Sequence, residues 1–165
     1  ACTATQDLRC HLHSVSTVQE EIGLRGAITA AGSIQPEVAI AVDVTHASDC
    51  PTIDKQRQGH ISLGDGPVIF RGPNINTKVS QRLIELCEQY SIPFQLAAIG
   101  RATPNDANVL QVHGSGVATG LVAIPNRYMH SAVEVVSLSD IHNVAQLLAE
   151  FALALSSEDD FTPGL

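Results

Sequence analysis

The stretch that most constrains the fold is residues 38–44, with the sequence VAIAVDV. A continuous apolar run of this kind is typical of a strand covered on both faces in a largely parallel sheet. Its one acid, Asp43, is anomalous, because a buried carboxylate that lacks a cation or several donors costs many kcal/mol. The run therefore predicts a covered strand that carries a carboxylate in need of a partner.

Strands and helices alternate along the rest of the chain. Apolar runs predict further strands at 8–18, 67–70, 94–99 and 117–124, and the polar stretches 47–66 and 125–131 are predicted loops. Helical spacing predicts helices at 77–90 and 139–155, with Ser139 as the N-cap of the second, and a shorter helix that ends near Gly114. The expected inward residues of the last helix are Ile141, Val144, Leu148, Phe151 and Leu155. This alternation predicts an α/β fold, a mainly parallel sheet with flanking helices.

Composition argues against several classes of protein. The chain has 165 residues, 44% of them hydrophobic, which suits one domain with a substantial core. A formal net charge of -8 without a Lys/Arg cluster argues against nucleic acid as a partner. No apolar run approaches the ~18 residues of a membrane span. The four cysteines match neither a redox pair nor a zinc ribbon, so we expect a reduced, cytoplasmic protein.

Polar side chains follow several of the predicted strands. Because the carboxyl ends of parallel strands meet at one edge of a sheet, we expect these side chains to lie close together. Carboxylates and an imidazole are the ligands of a divalent transition metal with mixed oxygen and nitrogen coordination. The candidate residues are Glu20, Glu21, Asp43, Asn105, Asp106 and His130. The alternative is a core histidine beside ion pairs with Arg25, Arg101 and Arg127, and spacing alone leaves both open.

Glu20 and Glu21 are adjacent, between a predicted strand and a glycine-containing turn. Neighbouring residues on a helix or strand point in different directions, so two adjacent carboxylates that serve one site have different tasks. One could bind a metal while the other moves a proton. The alternative is a pair of solvated surface glutamates, because glutamate is almost never buried without a partner.

Four segments in this order resemble metallopeptidase family 42. They are 17–27 (TVQEEIGLRGA), 42–45 (VDVT), Gly66-Pro67 with 71–74 (RGPN), and 127–131 (RYMHS) with 134–136 (EVV). The match runs from about residue 15 to residue 155. This family contains the glutamyl and deblocking aminopeptidases, whose members often form tetrahedral dodecamers, and some were once labelled cellulases. The resemblance implies a hydrolase that acts on peptide substrates and, in the complete enzyme, a homo-oligomer.

The resemblance also implies roles for individual residues. Glu20 resembles the general base that takes a proton from a metal-bridging water as it attacks the peptide carbonyl. Glu21 resembles a ligand to one of two divalent ions, zinc or cobalt and less often manganese, and His130 resembles the ligand that shares this ion. Asp43 resembles a ligand to the other ion.

Three residues, Asn105, Asp106 and Arg127, are expected to contact the substrate. Residues 105–107, Asn-Asp-Ala, correspond to a place where the family usually has Thr-Asp-Ala, so the contact made by Asn105 and Asp106 is expected to differ. Arg127, in the histidine motif, is the third candidate.

Departures from the family pattern concern the region before Glu20. The family has there a His-x-Asp segment, an aspartate that bridges both ions and an inserted β-barrel domain, and none of these has a match; His11-Leu12-His13 resembles the first only superficially. Residues 1–155 thus resemble the C-terminal portion of a zinc-peptidase-like catalytic domain, followed by an acidic tail, 156–165, that is expected to fray. The missing N-terminal part is an expected partner, and the isolated chain is expected to hold metal poorly. The alternative is a shortened homologue that acts as an assembly or binding module.

Overall fold

The computed structural model describes residues 8–51 and 53–163. Within them the chain forms five strands and five helices. The strands are β1 (Val38–His46), β2 (Val68–Arg71), β3 (Gln95–Ala98), β4 (Ala118–Arg127) and β5 (Val135–Val136). The helices are α1 (Arg25–Ile34), α2 (Lys55–Gln58), α3 (Thr77–Gln89), α4 (Ala107–Leu110) and α5 (Leu138–Ala154). The predicted α/β class is therefore confirmed.

The five strands form one mixed sheet with the order β1-β4-β2-β3, and β5 pairs with β4. β1 runs parallel to β4, and β2 runs parallel to β3. The two halves of the sheet meet in an antiparallel pairing of β2 with β4, and β5 is also antiparallel to β4. Because β1 and β4 share a direction, their carboxyl ends lie at the same edge, whereas β2 and β3 end at the opposite edge.

β4 is the centre of the core, because it is buried on both faces. Successive side chains of a strand alternate between faces, so Leu121 and Val122 enter different apolar clusters. Val122 packs with Leu83 of α3 and Leu147 of α5, all fully buried. Leu121 packs on the other face with Ala41 of β1 and with α4. Each large side chain buried in this way stabilises the fold by about 1.5–3 kcal/mol.

The predicted strand at 8–18 is wrong. These residues have no regular secondary structure, are mostly exposed and join no strand of the sheet. A run rich in β-branched residues forms a strand only where a neighbouring strand takes up its backbone groups. Val18 instead accepts a hydrogen bond from the Gly26 N–H (2.9 Å). A Cβ on Gly26 would lie 2.4 Å from the Val18 backbone, so only glycine permits this contact.

Two helical predictions need correction. α5 begins with Ser137 as N-cap rather than Ser139, and Ile141 is 40% exposed rather than inward, because the buried face is formed by Asp140, Val144 and Leu147. The helix expected to end near Gly114 is the single turn α4. Across the ranges described, no helix, α5 included, is long and apolar enough to cross a membrane.

The acidic tail packs on α3 as far as Phe161, in contrast to the predicted frayed end. Arg82 Nη2 lies 2.7 Å from Asp159 Oδ1, and Asn76 Nδ2 donates to the Phe161 carbonyl at 2.8 Å. The ring centroids of Phe161 and of Phe151 in α5 are 6.3 Å apart. The tail is therefore part of the core on the α3 and α5 side.

Candidate metal and catalytic site

The two adjacent glutamates lie in a tight turn between residue 18 and α1. The Gly23 and Leu24 N–H groups both donate to the Glu20 carbonyl, at 3.1 and 3.0 Å. Gln19 and Leu24 have left-handed φ values of 61° and 57°, which reverse the chain on either side of the pair. Glu20 is half-buried and Glu21 is exposed, so the two carboxylates have different surroundings.

The structure brings His130 to this turn. Its Nε2 lies 3.2 Å from Oε1 of Glu21, and both side chains are largely exposed, at 67% and 74%. His130 follows the carboxyl end of β4 in the loop that leads to β5. The predicted proximity of the histidine and the second glutamate is therefore present in the fold.

Asp43 and Asp106, together with Glu20 and Glu21, form a cluster of four acids beside His130. Burial raises the pKa of Glu20 above its usual value, and the neighbouring charges, that of Asp43 foremost, raise it further. Burial also raises the pKa of Asp43; a hydrogen bond from the Val44 N–H (2.7 Å) opposes the shift, and the charge of Asp106 adds to it. The charges of neighbouring acids thus help to raise the pKa of Glu20 and of Asp43, as expected where carboxylates lie close together.

Asp106 reaches the cluster from α4. Thr17 Oγ1 donates to Asp106 Oδ2 at 2.7 Å, which ties the N-terminal side of this helix to the segment before the Glu-Glu turn. The other oxygen, Asp106 Oδ1, is buried and has no hydrogen-bond partner among the described residues, and the same holds for Oδ1 of the preceding Asn105. Buried acceptors without donors are rare in proteins and mark positions where a ligand can supply the missing contact.

The expectation that all these residues follow strand ends at one edge is wrong in detail. Asp43 lies inside β1, opposite Ala123 of β4, and shares a strand face with Ala41. β3, which precedes Asp106 in the chain, ends at the opposite edge because it runs antiparallel to β4. The acids converge because α4 packs on the face of the sheet on which Asp43 lies, and α1 packs against α4.

Arg127 binds Asp49 instead of the acid cluster. Its Nε and Nη2 donate to Oδ1 and Oδ2 of Asp49 at 2.8 and 2.6 Å, and these hydrogen bonds lower the pKa of Asp49 below its usual value. In the part of the chain that the structure describes, no arginine forms an ion pair with Glu20, Glu21, Asp43 or Asp106. The alternative of arginine ion pairs at these carboxylates is therefore wrong.

The donor set fits a divalent cation in its chemistry. Carboxylate oxygens and an imidazole nitrogen are ligands of zinc and of cobalt, and a cation would relieve the repulsion among the acids. No group of three His, Cys, Asp or Glu side chains within 8–51 and 53–163 has a geometry that could hold a metal ion. Of the predicted ligands, Glu21 and His130 are in direct contact, and the ligand roles of these two residues and of Asp43 stay a prediction.

Sequence reasoning missed the acids that hold the surrounding loops. Asp140, fully buried in α5, accepts from the N–H groups of Gly64 and Gly66 at 2.8 and 2.9 Å. Glu134 accepts from the His130 N–H and from Asn126 Nδ2. Glu134 belongs to the motif that carried the family resemblance, which was the available signal, whereas nothing in the local sequence pairs Asp140 with a loop so distant along the chain.

Comparison with known proteins gives consistent matches. The sequence profile described as M42 glutamyl aminopeptidase matches residues 2–147. A lysyl aminopeptidase of Pyrococcus furiosus is 46% identical over 154 residues, which are 92% of this chain and 43% of that protein. A putative aminopeptidase of Acetivibrio thermocellus is 41% identical over 84% of this chain and 42% of its own length.

Solved structures agree with the sequence matches. An aminopeptidase from the archaeon Desulfurococcus kamchatkensis superposes with a TM-score of 0.77 at 42% identity, over 86% of this chain and 41% of its own. The TET1 peptidase of Pyrococcus horikoshii, described as able to assemble into a tetrahedron or a large octahedral shell, gives 0.65 at 27% identity, over 84% of this chain and 40% of its own. The chain thus spans about two fifths of the length of these relatives.

Proposed function

The chain belongs to the M42 glutamyl aminopeptidase family, and from this premise we propose that it provides part of the catalytic centre of a metal-dependent aminopeptidase. The observation that carries the proposal is the convergence of Glu20, Glu21, Asp43 and His130 from three distant segments. The convergence is unfavourable in isolation, because no arginine or lysine in the described part of the chain forms an ion pair with these carboxylates. A bound cation is the simplest physical reason for such an arrangement.

Glu20 acts as the general base in this proposal. It takes a proton from the attacking water and returns it to the leaving amine, a task for a carboxylate that does not itself need to bind metal. Its raised pKa, due first to burial and then to the charge of Asp43, makes it a better proton acceptor than an exposed glutamate. Its half-buried position next to an exposed Glu21 agrees with a division of tasks between the two.

Glu21 and His130 would hold one divalent ion, and Asp43 would hold the other. When bound, a pair of such ions supplies polarisation of the peptide carbonyl and acidification of water near neutral pH. Zinc and cobalt suit the mixed oxygen and nitrogen donors, and manganese is a third possibility. His130 contributes the one nitrogen donor, and its 3.2 Å approach to Glu21 supports a shared ion.

Asn105 and Asp106 are the proposed substrate-side contacts. Asp106 belongs to the acid cluster and Asn105 precedes it in the chain. Each has a buried Oδ1 that has no hydrogen-bond partner among the described residues. An aminopeptidase must recognise the free amine of its substrate, which is a hydrogen-bond donor and suits such acceptors. Arg127 is a weaker candidate, because both of its described hydrogen bonds go to Asp49.

Self-association is proposed as a second property of the complete protein. The segment after His130 exposes large apolar side chains, among them Val133 at 67% and Leu138 at 81%. Exposed apolar residues grouped in this way are typical of protein interfaces. The shell assembly described for the Pyrococcus horikoshii relative is consistent with this proposal.

A reducing, cytoplasmic location agrees with the cysteines. Cys10 and Cys87 are free thiols in the structure. Burial raises the pKa of Cys87 to about 12, which makes its thiol inert near neutral pH. Neither residue therefore provides a structural disulfide of the kind common in secreted domains.

The test is a peptidase assay with and without a complementing polypeptide. The chain, supplied with zinc or cobalt, is assayed on an unblocked peptide and on its N-acetylated form. The assay is repeated after mixing with the portion of a longer relative that this chain does not match. We expect metal-dependent turnover of the unblocked peptide only in the mixture, lost on Asp43→Asn. A chain that associates with the other part and yields no turnover would favour the alternative, an assembly or binding module.

A further inference from the structure

The loop that carries His130 has an unfavourable backbone. It connects β4 to β5, and two of its residues other than glycine, Tyr128 and His130, have left-handed φ values of 60° and 63°. Side chains with a Cβ rarely adopt this region, and a loop that contains two such residues relaxes unless other contacts hold it. The position of the His130 imidazole therefore depends on what fixes this loop.

Glu134 makes the contact that reaches His130 directly. Its Oε1 accepts a hydrogen bond from the His130 backbone N–H at 2.5 Å, and its Oε2 accepts from Asn126 Nδ2 at 3.1 Å. A carboxylate that accepts from a backbone N–H forms one of the stronger hydrogen bonds in proteins. One side chain thus links the strained residue of the loop to the strand before it.

The other end of this link is anchored. Asn126 is 2% exposed, lies in β4 opposite His46 of β1, and its carbonyl accepts from the Ala47 N–H at 2.9 Å. It also pairs with Val136 of β5. Because Asn126 is held on both sides by the sheet, the Glu134 carboxylate fixes His130 relative to the sheet and not only within the loop.

We propose that Glu134 is a positioning residue that holds His130 in the orientation in which its imidazole meets Glu21. Its importance for activity rests on the proposed function, because there His130 is a metal ligand; its effect on the loop does not. Other hydrogen bonds of the loop, such as that from the Val133 N–H to Ser131 Oγ (3.2 Å), do not involve His130. Ser131→Ala is therefore a matched control in the same loop.

The chemistry of the link predicts that glutamine can replace Glu134. An amide oxygen can still accept from the His130 N–H, and the amide NH2 needs an acceptor on Asn126. Asn126 Oδ1 is buried and has no hydrogen-bond partner within 8–51 and 53–163, so rotation of the Asn126 amide presents this oxygen to the new donor. Glu134→Gln should keep the geometry without the charge, whereas Glu134→Ala removes both hydrogen bonds.

The first test measures hydrogen exchange of the His130 amide by NMR in the 165-residue chain. We expect exchange at least ~10-fold faster in Glu134→Ala than in the wild type, and wild-type exchange in Glu134→Gln and Ser131→Ala. Tyr128→Gly relieves one strained position, so the double variant Tyr128→Gly/Glu134→Ala should recover part of the protection. It also serves as the test variant if Glu134→Ala does not fold.

The second test measures cobalt binding by the same variants. Loss of a group that orients a metal ligand typically lowers affinity ~10–100-fold, and we expect this for Glu134→Ala with rescue by Glu134→Gln. Unchanged amide exchange in Glu134→Ala would overturn the inference, and so would a Glu134→Gln variant that behaves like Glu134→Ala. If amide exchange follows the expected pattern across the variants but the wild-type chain binds no cobalt, the role of His130 as a metal ligand is contradicted and the positioning role of Glu134 is supported.

Discussion

Nε2 of His130 lies 3.2 Å from Oε1 of Glu21, although one residue follows the longest strand of the sheet and the other lies in a turn before the first helix. The contact joins a carboxylate to an imidazole. Glu20, Asp43 and Asp106 lie nearby and make this part of the surface more negative. This contact links the turn that carries the adjacent glutamates to the loop that follows β4.

Glu20→Gln tests the division of tasks between the adjacent glutamates. In a preparation with aminopeptidase turnover, this variant should lower kcat by at least ~10²-fold, the usual scale for loss of a general base, and leave metal affinity nearly unchanged. Glu37→Gln, at an exposed position before β1, is the control. A near-normal rate for Glu20→Gln would remove this residue from the mechanism.

Asp43→Asn tests the electrostatic cost of the acid cluster in the absence of metal. Burial raises the pKa of Asp43 in the folded chain, so the native state binds more protons than the unfolded state between the two pKa values. Stability on this account falls as pH rises through the folded pKa and recovers as pH falls. Asp43→Asn should therefore unfold at higher urea than the wild type at about pH 7, with a smaller difference at about pH 4. A variant less stable than the wild type at both pH values would contradict the account.

Gly66→Ala should be more damaging than Gly64→Ala, although both glycines donate to Asp140. Both have left-handed φ values, 93° and 86°, so alanine is strained at either position by about 1–2 kcal/mol. A Cβ at Gly66 would also lie 2.0 Å from the Pro93 carbonyl oxygen, whereas nothing lies within 4 Å of one at Gly64. Urea unfolding should show a further loss of at least ~1 kcal/mol for Gly66→Ala, and equal losses would contradict this packing.

Leu147→Ala and Leu138→Ala compare two leucines of α5. Leu147 is fully buried beneath the sheet, and its truncation should lower the free energy of unfolding by about 2–5 kcal/mol through lost burial and a residual cavity. Leu138 is 81% exposed, and its truncation should change the same quantity by less than about 0.5 kcal/mol. Similar losses measured for the two variants would show that α5 packs differently.

The sequence predicts the elements whose apolar pattern is strong. β1 and β4 are apolar runs, and α3 and α5 have large apolar residues at helical spacing, so each was expected within a few residues. α1 was missed because its buried face consists of Gly26, Ala27 and Ala31, which give no contrast of large apolar and polar residues. The run at 8–18 has strand-forming composition but no neighbouring strand in this structure, and composition alone cannot supply one.

The site was predictable where a single residue conflicted with its surroundings. Asp43 in an apolar run required a partner, and the structure places other acids beside it. The approach of Asp106 depends on the reversal of strand direction between β2 and β4 and on the packing of α4, which no local pattern encodes. The Arg127–Asp49 pair and the Asp140 contacts likewise join segments far apart in sequence.

The central claim, that Glu21, Asp43 and His130 are metal ligands, is tested most directly by calorimetric titration of the chain with cobalt and zinc. Glu21 and His130 provide two protein ligands for one ion, and Asp43 provides a single ligand for the second ion. A catalytic zinc site typically has about three protein ligands, so binding should be weak. We expect His130→Ala to lower the affinity at least ~10-fold. The control His142→Ala, at an exposed position of α5, should bind as the wild type does. Equal affinities of His130→Ala and the wild type, or tight binding of two ions together with appreciable peptidase turnover by this chain alone, would contradict the account.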